Sequence, residues 1–190
     1  MVSTDSLIQA SSDISDAFFE KKYFTTIHSL ETGDEGMYSL FVVELKYPLP
    51  PSAEVQFALL WKSIEEYEFS EDYYEKMSSR EKQDSLFSCF TEFLNGCDFR
   101  VTTDSDTERT NEIINECQSL VLENPEKMAW GKDHKVGYYK NGKFVSSRLP
   151  KELINKVSLP GTVATDDWND YMVIFESKRA LSLFYWFTGA

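Results

Sequence analysis

A chain of 190 residues that is 42% hydrophobic and 15% aromatic has ample material for a packed core, which excludes a disordered chain. Its formal net charge of −13 repels nucleic acid and anionic lipid over most of the surface and favours capture of a basic partner. No apolar run is long enough to cross a bilayer, and residues 1–10 lack the basic and apolar regions of a signal peptide.

The charge is uneven. Residues 1–126 hold 26 acidic and 9 basic side chains, residues 127–156 hold 2 acidic and 8 basic, and residues 157–190 hold 4 acidic and 2 basic. Cys89, Cys97 and Cys117 form no CxxC pair and, being odd in number, no disulfide framework, which fits a reducing, cytoplasmic setting.

In chain order, residues 5–20 carry Leu7, Ile8, Ile14, Phe18 and Phe19 as a loose helical stripe. Tyr23–Leu30 has the composition of a strand, Glu31–Gly36 is a turn, and Met37–Tyr47 is a second strand closing a hairpin. Pro48-Leu-Pro-Pro51 ends it, because proline removes a ladder donor. Ser52 then caps a helix to about Tyr67, with Val55, Leu59, Leu60 and Ile64 on one face, widened by Phe57 and Trp61. Ser70–Lys76 reads as a short helical piece. Ser79-Arg-Glu-Lys82, a capping box with lysine at its fourth place, opens a helix carrying Leu86, Phe87, Phe90, Phe93 and Leu94 and stopped by Gly96.

Cys97–Thr103 is a strand candidate. Asp104-Ser-Asp106 caps a helix to about Glu123 that turns Ile113, Ile114, Cys117, Leu120 and Val121 inward, and Pro125 prevents its continuation. Asn141-Gly142 between Val136–Lys140 and Lys143–Ser147 is the hairpin signal in which both central residues take positive φ. Leu149–Asn155 is a short helix, and Ser158–Asn169 reads as loop. Tyr171–Phe175 and Leu181–Phe187, around the polar Glu176–Arg179, form a terminal hairpin apolar on both faces, placed in the middle of a sheet; a helix is the alternative for its second run. The order of elements predicts one α+β domain over residues 1–190, a largely antiparallel sheet built from hairpins with a block of helices packed on it.

The chain has no GxGxxG, P-loop, HExxH, GxSxG or EF-hand spacing. His28 and His134 stand alone, and His28 is expected on a strand face, partly exposed. Cys117 and Cys89 read as small buried hydrophobes rather than thiol nucleophiles. Asp166-Asp-Trp-Asn-Asp170 offers several oxygens to a hard cation, but reads better as a polar turn anchored by Trp168. No metal and no cofactor are expected, and the reading leans away from an enzyme. If the chain is one, Asp166, Asp167, Asp170, His134 and Arg148 supply its carboxylate site.

Two stretches suggest contact surfaces. Glu65, Glu66, Tyr67 and Glu68, with Glu71, Asp72, Tyr73 and Tyr74, mix carboxylates with tyrosines, the composition of a surface that binds a basic protein. Lys132, Lys135, Lys140, Lys143 and Arg148, mixed with Trp130, Tyr138, Tyr139 and Phe144, could hold single strands by stacking. The overall charge makes nucleic acid the poorer partner, and lysines also guard a sheet edge. The leading expectation is an acidic, soluble, cytoplasmic protein-binding module that neutralises a basic partner, without membrane contact. Bacterial immunity proteins and other inhibitors of nucleic-acid-acting enzymes have this general character, a similarity of kind that no family motif carries here. A third expectation is a subunit that buries Tyr185, Trp186 and Phe187 against another chain; the oligomeric state is open.

Overall fold

The computed structural model describes residues 6–7, 25–33, 38–45, 52–68, 77–123, 135–157, 160–176 and 181–188. Its strands are β1 (Thr25–Glu31), β2 (Tyr38–Leu45), β3 (Arg100–Val101), β4 (Gly137–Lys140), β5 (Lys143–Ser146), β6 (Gly161–Asp166), β7 (Asp170–Glu176) and β8 (Leu181–Thr188). Its helices are α1 (Ala53–Glu68), α2 (Ser79–Gly96), α3 (Asp104–Glu123) and α4 (Lys151–Lys156). The strands form one antiparallel sheet in the order β3-β6-β7-β8-β2-β1-β4-β5, so the fold is α+β.

β7, β8 and β2 occupy the middle because they have no polar side to give to water. Along β2, Leu40 and Val42 join one core while Phe41 and Val43 join the other. α3 and α4 cover the first face with Ile113, Ile114, Cys117, Val121 and Leu153, joined by Val157 just past α4. α1 and α2 cover the second with Phe57, Leu60, Trp61, Ile64, Phe90 and Leu94. Truncating one of the large side chains here, such as Phe184, costs about 3–5 kcal/mol.

Local chemistry sets the ends of the elements. Ser52 caps α1 through its hydroxyl, which accepts from the Val55 N–H at 3.2 Å. The capping box of α2 lies one residue earlier than expected. Ser78 accepts from the Glu81 N–H at 3.3 Å and the Glu81 carboxylate accepts from the Ser78 N–H at 2.8 Å, because glutamate, unlike Lys82, supplies the acceptor. Asn141 and Gly142 take φ of 48° and 71°, as the β4–β5 turn requires.

Two expectations change. The expected loop from Ser158 to Asn169 contains β6, hydrogen-bonded to β7 and β3. Its residues are small, and Gly161 is needed because a Cβ there lands 2.2 Å from the Ile174 carbonyl oxygen. The strand expected over Cys97–Thr103 shrinks to Arg100–Val101, although Asp98 N–H and Thr102 N–H still donate to Ala164 and Gly161. The expected helical stripe of residues 5–20 (Leu7 apart) and the piece at Ser70–Lys76 lie outside the described residues.

Candidate functional site

Where β3, the β6–β7 turn and the start of α3 meet, two arginines and two aspartates come together. The Thr103 carbonyl accepts from the N–H groups of Asp106 and Thr107, starting α3. The Asp106 carboxylate turns back to accept the Thr103 N–H at 2.7 Å and its hydroxyl at 2.8 Å. Arg100 then reaches from β3 and donates to both Asp106 oxygens at 2.8 Å, a fork-to-fork pair. Tyr171, buried in β7, donates its hydroxyl to Asp106 Oδ1 at 3.1 Å.

Asp166, at the end of β6, bridges Arg100 and Arg109. Arg109 also donates to the Asp167 carbonyl at 2.7 Å, and its guanidinium lies 4.3 Å above the Tyr171 ring. The electrostatics follow. The Arg100 guanidinium holds the Asp106 carboxyl far below the usual range against the desolvation that opposes it, and Asp106 pushes Arg100 upward in turn. Burial raises the Tyr171 phenol to about 12, so it stays a donor at neutral pH. Every charge in this cluster faces an opposite one. It is a clamp that fixes a turn to a helix, with nothing in it poised for catalysis.

A second cluster lies on the same face of the sheet. His28 was expected to be partly exposed, yet it is 5% exposed, since its place two residues before Leu30 on β1 turns it into the core. Its Nδ1 stands 2.8 Å from the Tyr138 hydroxyl, and the two rings lie nearly parallel. Nε2 sits 3.4 Å from Glu44 Oε2, without hydrogen-bond alignment. The His28 ring and the Lys156 ammonium hold the Glu44 carboxyl down at about 2 against partial burial, and Lys156, correctly aligned, is the better-made bond.

The other sequence candidates disperse. Asp166 serves the clamp, whereas Asp170 points to the opposite face, accepting from Thr165 at 2.6 Å and Tyr185 at 3.2 Å. Burial raises its carboxyl. Arg148 is exposed beyond β5, toward the opposite edge of the sheet from Asp166, Asp167 and Asp170, so these four do not converge; His134 lies outside the described residues. Trp168 anchors nothing: it is 74% exposed. Burial pushes the Cys97 and Cys117 thiols up to about 12, leaving no thiolate at neutral pH, and Cys89 is half-buried. No cluster of three metal-ligating side chains occurs among the described residues.

Lys135, Lys140, Lys143 and Phe144 are exposed on or beside the edge hairpin, Tyr138 and Tyr139 are buried, and Trp130 and Lys132 lie outside the described residues. Trp186 is buried in the chain's own core, with Tyr185 and Phe187 packed against the opposite one. Glu65, Glu66, Tyr67 and Glu68 form the last turn of α1, while Glu71, Asp72, Tyr73 and Tyr74 lie outside the described residues.

A surface that the composition of a short stretch did not single out runs along α3. Asp104, Glu108, Glu112 and Glu116 recur every four residues, all exposed, on the side opposite the buried stripe. The spacing alone was enough to find it. No helix of the described residues is long and apolar enough to cross a membrane. Compared with protein-family models, curated proteins and solved structures, the chain matches none of them.

Proposed function

We propose that the protein is an inhibitor- or immunity-type binding module of the cytoplasm, which occupies a basic partner protein through carboxylates displayed on its helices. The observation that carries this reading is the row Asp104, Glu108, Glu112 and Glu116 on α3, which makes no ion pair with any described residue. Like charges four apart on a helix cost about 0.2–0.5 kcal/mol per pair. Glu123 adds to this, at the negative end of the helix dipole with no basic residue in the last turn. α1 also ends in acidic residues, Glu65, Glu66 and Glu68, with no basic residue in its last turn. A cationic surface laid on either helix offsets that self-repulsion and gains charge complementarity. With Tyr67, the last turn of α1 remains a second candidate contact, continued in sequence by Glu71, Asp72, Tyr73 and Tyr74.

Capture with the tagged chain from its own cells at low salt, elution with rising salt and mass spectrometry test the reading. The expected result is a basic protein that salt releases and that the Glu108→Lys/Glu112→Lys variant fails to retain. A captured protein indifferent to both salt and charge reversal sinks it.

A further inference from the structure

We infer that Trp168 is the aromatic anchor of this acidic surface and receives an arginine side chain from an extended basic segment of the partner; the inference rests on the proposed function and names the partner's chemistry. Trp168 sits in the β6–β7 turn and, at 74%, is the most exposed large hydrophobic side chain among the described residues. An indole left in water forgoes the burial that makes tryptophan a leading contributor to interfaces.

The turn beneath it is firmly built. Asp167 N–H donates to the Asp170 carbonyl at 2.8 Å, and the Asn169 carbonyl accepts from Thr188 N–H at 2.9 Å. Arg109 holds the Asp167 carbonyl, and Arg100 and Arg109 together hold Asp166. A side chain displayed from a fixed base loses little backbone freedom on binding, so more of its contact energy survives as affinity.

The surroundings select the occupant. Asp167 is exposed beside the indole, and Arg109 ties this turn to α3. Glu112 and Glu116, three and seven residues beyond Arg109, share its side of that helix and are exposed. An exposed indole on a turn that carries an exposed aspartate and is tied to an acidic helix side repels anions and lipid phosphates and attracts cations. Tryptophan offers the best cation–π surface, and guanidinium exceeds ammonium because it stacks flat while donating in a fork to a carboxylate. The protein makes the same combination just below the turn, where Arg109 lies over Tyr171 and pairs with Asp166.

Titration calorimetry of the full chain with an arginine decamer and a lysine decamer at low salt tests this. Wild type is expected to bind the arginine peptide about tenfold more tightly than the lysine peptide. Trp168→Ala should erase that preference, Trp168→Phe should keep part of it, and Glu108→Lys/Glu112→Lys should weaken both peptides while preserving the ratio. Unfolding midpoints equal to wild type for the Trp168 variants establish that the indole acts at the surface. An arginine preference that survives Trp168→Ala, or is absent from wild type, overturns the inference and leaves the proposed function standing. Failure of wild type to bind either peptide overturns both.

Discussion

The two sides of α3 carry the same kind of residue in opposite circumstances. On the inner side Asp106 is 4% exposed and held by Arg100, Thr103 and Tyr171, so its charge is matched where it stands. On the outer side Asp104, Glu108, Glu112 and Glu116 face water and one another. The inner carboxylate fixes the fold, and its loss is a structural event. The outer ones weaken the free helix slightly and are matched by no described cation.

That contrast can be broken from the inside first. Asp106→Ala strands Arg100 and frees the start of α3, and should cost about 3 kcal/mol in urea unfolding, the low end for a broken buried pair because Arg100 is 39% exposed. Arg109→Met, which keeps a stem over Tyr171 but loses both turn contacts, should cost about 1 kcal/mol by the same measurement. On the outside the sign reverses. Glu112→Gln should stabilise the free chain by about 0.3 kcal/mol while lowering affinity for the proposed basic partner. Added salt should likewise stabilise the free chain through the outer row and leave the inner clamp largely intact.

Acid sharpens the comparison further. Glu44 and Asp106 both have folded-state values depressed below their ordinary ones. Their stabilisation is therefore complete above the unfolded carboxylate range and is lost as pH falls through the folded values. For Glu44 that window runs from 4.5 down to about 2. Unfolding free energies measured across this range should decline for wild type and less steeply in Glu44→Gln, where Asp106 still contributes; an equally steep decline in the variant contradicts the Lys156 and His28 contacts as the source of the difference.

Much of the sheet is legible in the sequence where a single local signal suffices. Asn141-Gly142 names its hairpin, and the aromatic and β-branched runs of β2, β7 and β8 mark strands apolar on both sides. β6 is not legible, because its Gly, Thr and Ala residues owe their strand geometry to neighbours on both sides rather than to propensity. The clamp is harder still, since Arg109 and Asp166 stand 57 positions apart. One sign of it was available. Asp106 falls in line with Thr110, Ile113 and Cys117 on the buried stripe of α3, and a carboxylate in such a stripe demands a cation. His28, in phase with Leu30 on β1, gave the same kind of notice.

β8 pairs with β7 on one side and with β2 on the other, and among the described strands it comes last in chain order. During synthesis the sheet therefore stands open at its centre until residues 181–188 arrive. The edges of β2 and β7 then wait unpaired, and both are strongly apolar. Joining them closes contacts some 140 residues apart along the chain, the kind of long-range pairing that makes folding slow and leaves intermediates prone to aggregate. Without β8 the edges of β2 and β7 have no partner between them, so the closure of this sheet rests on Leu181–Thr188.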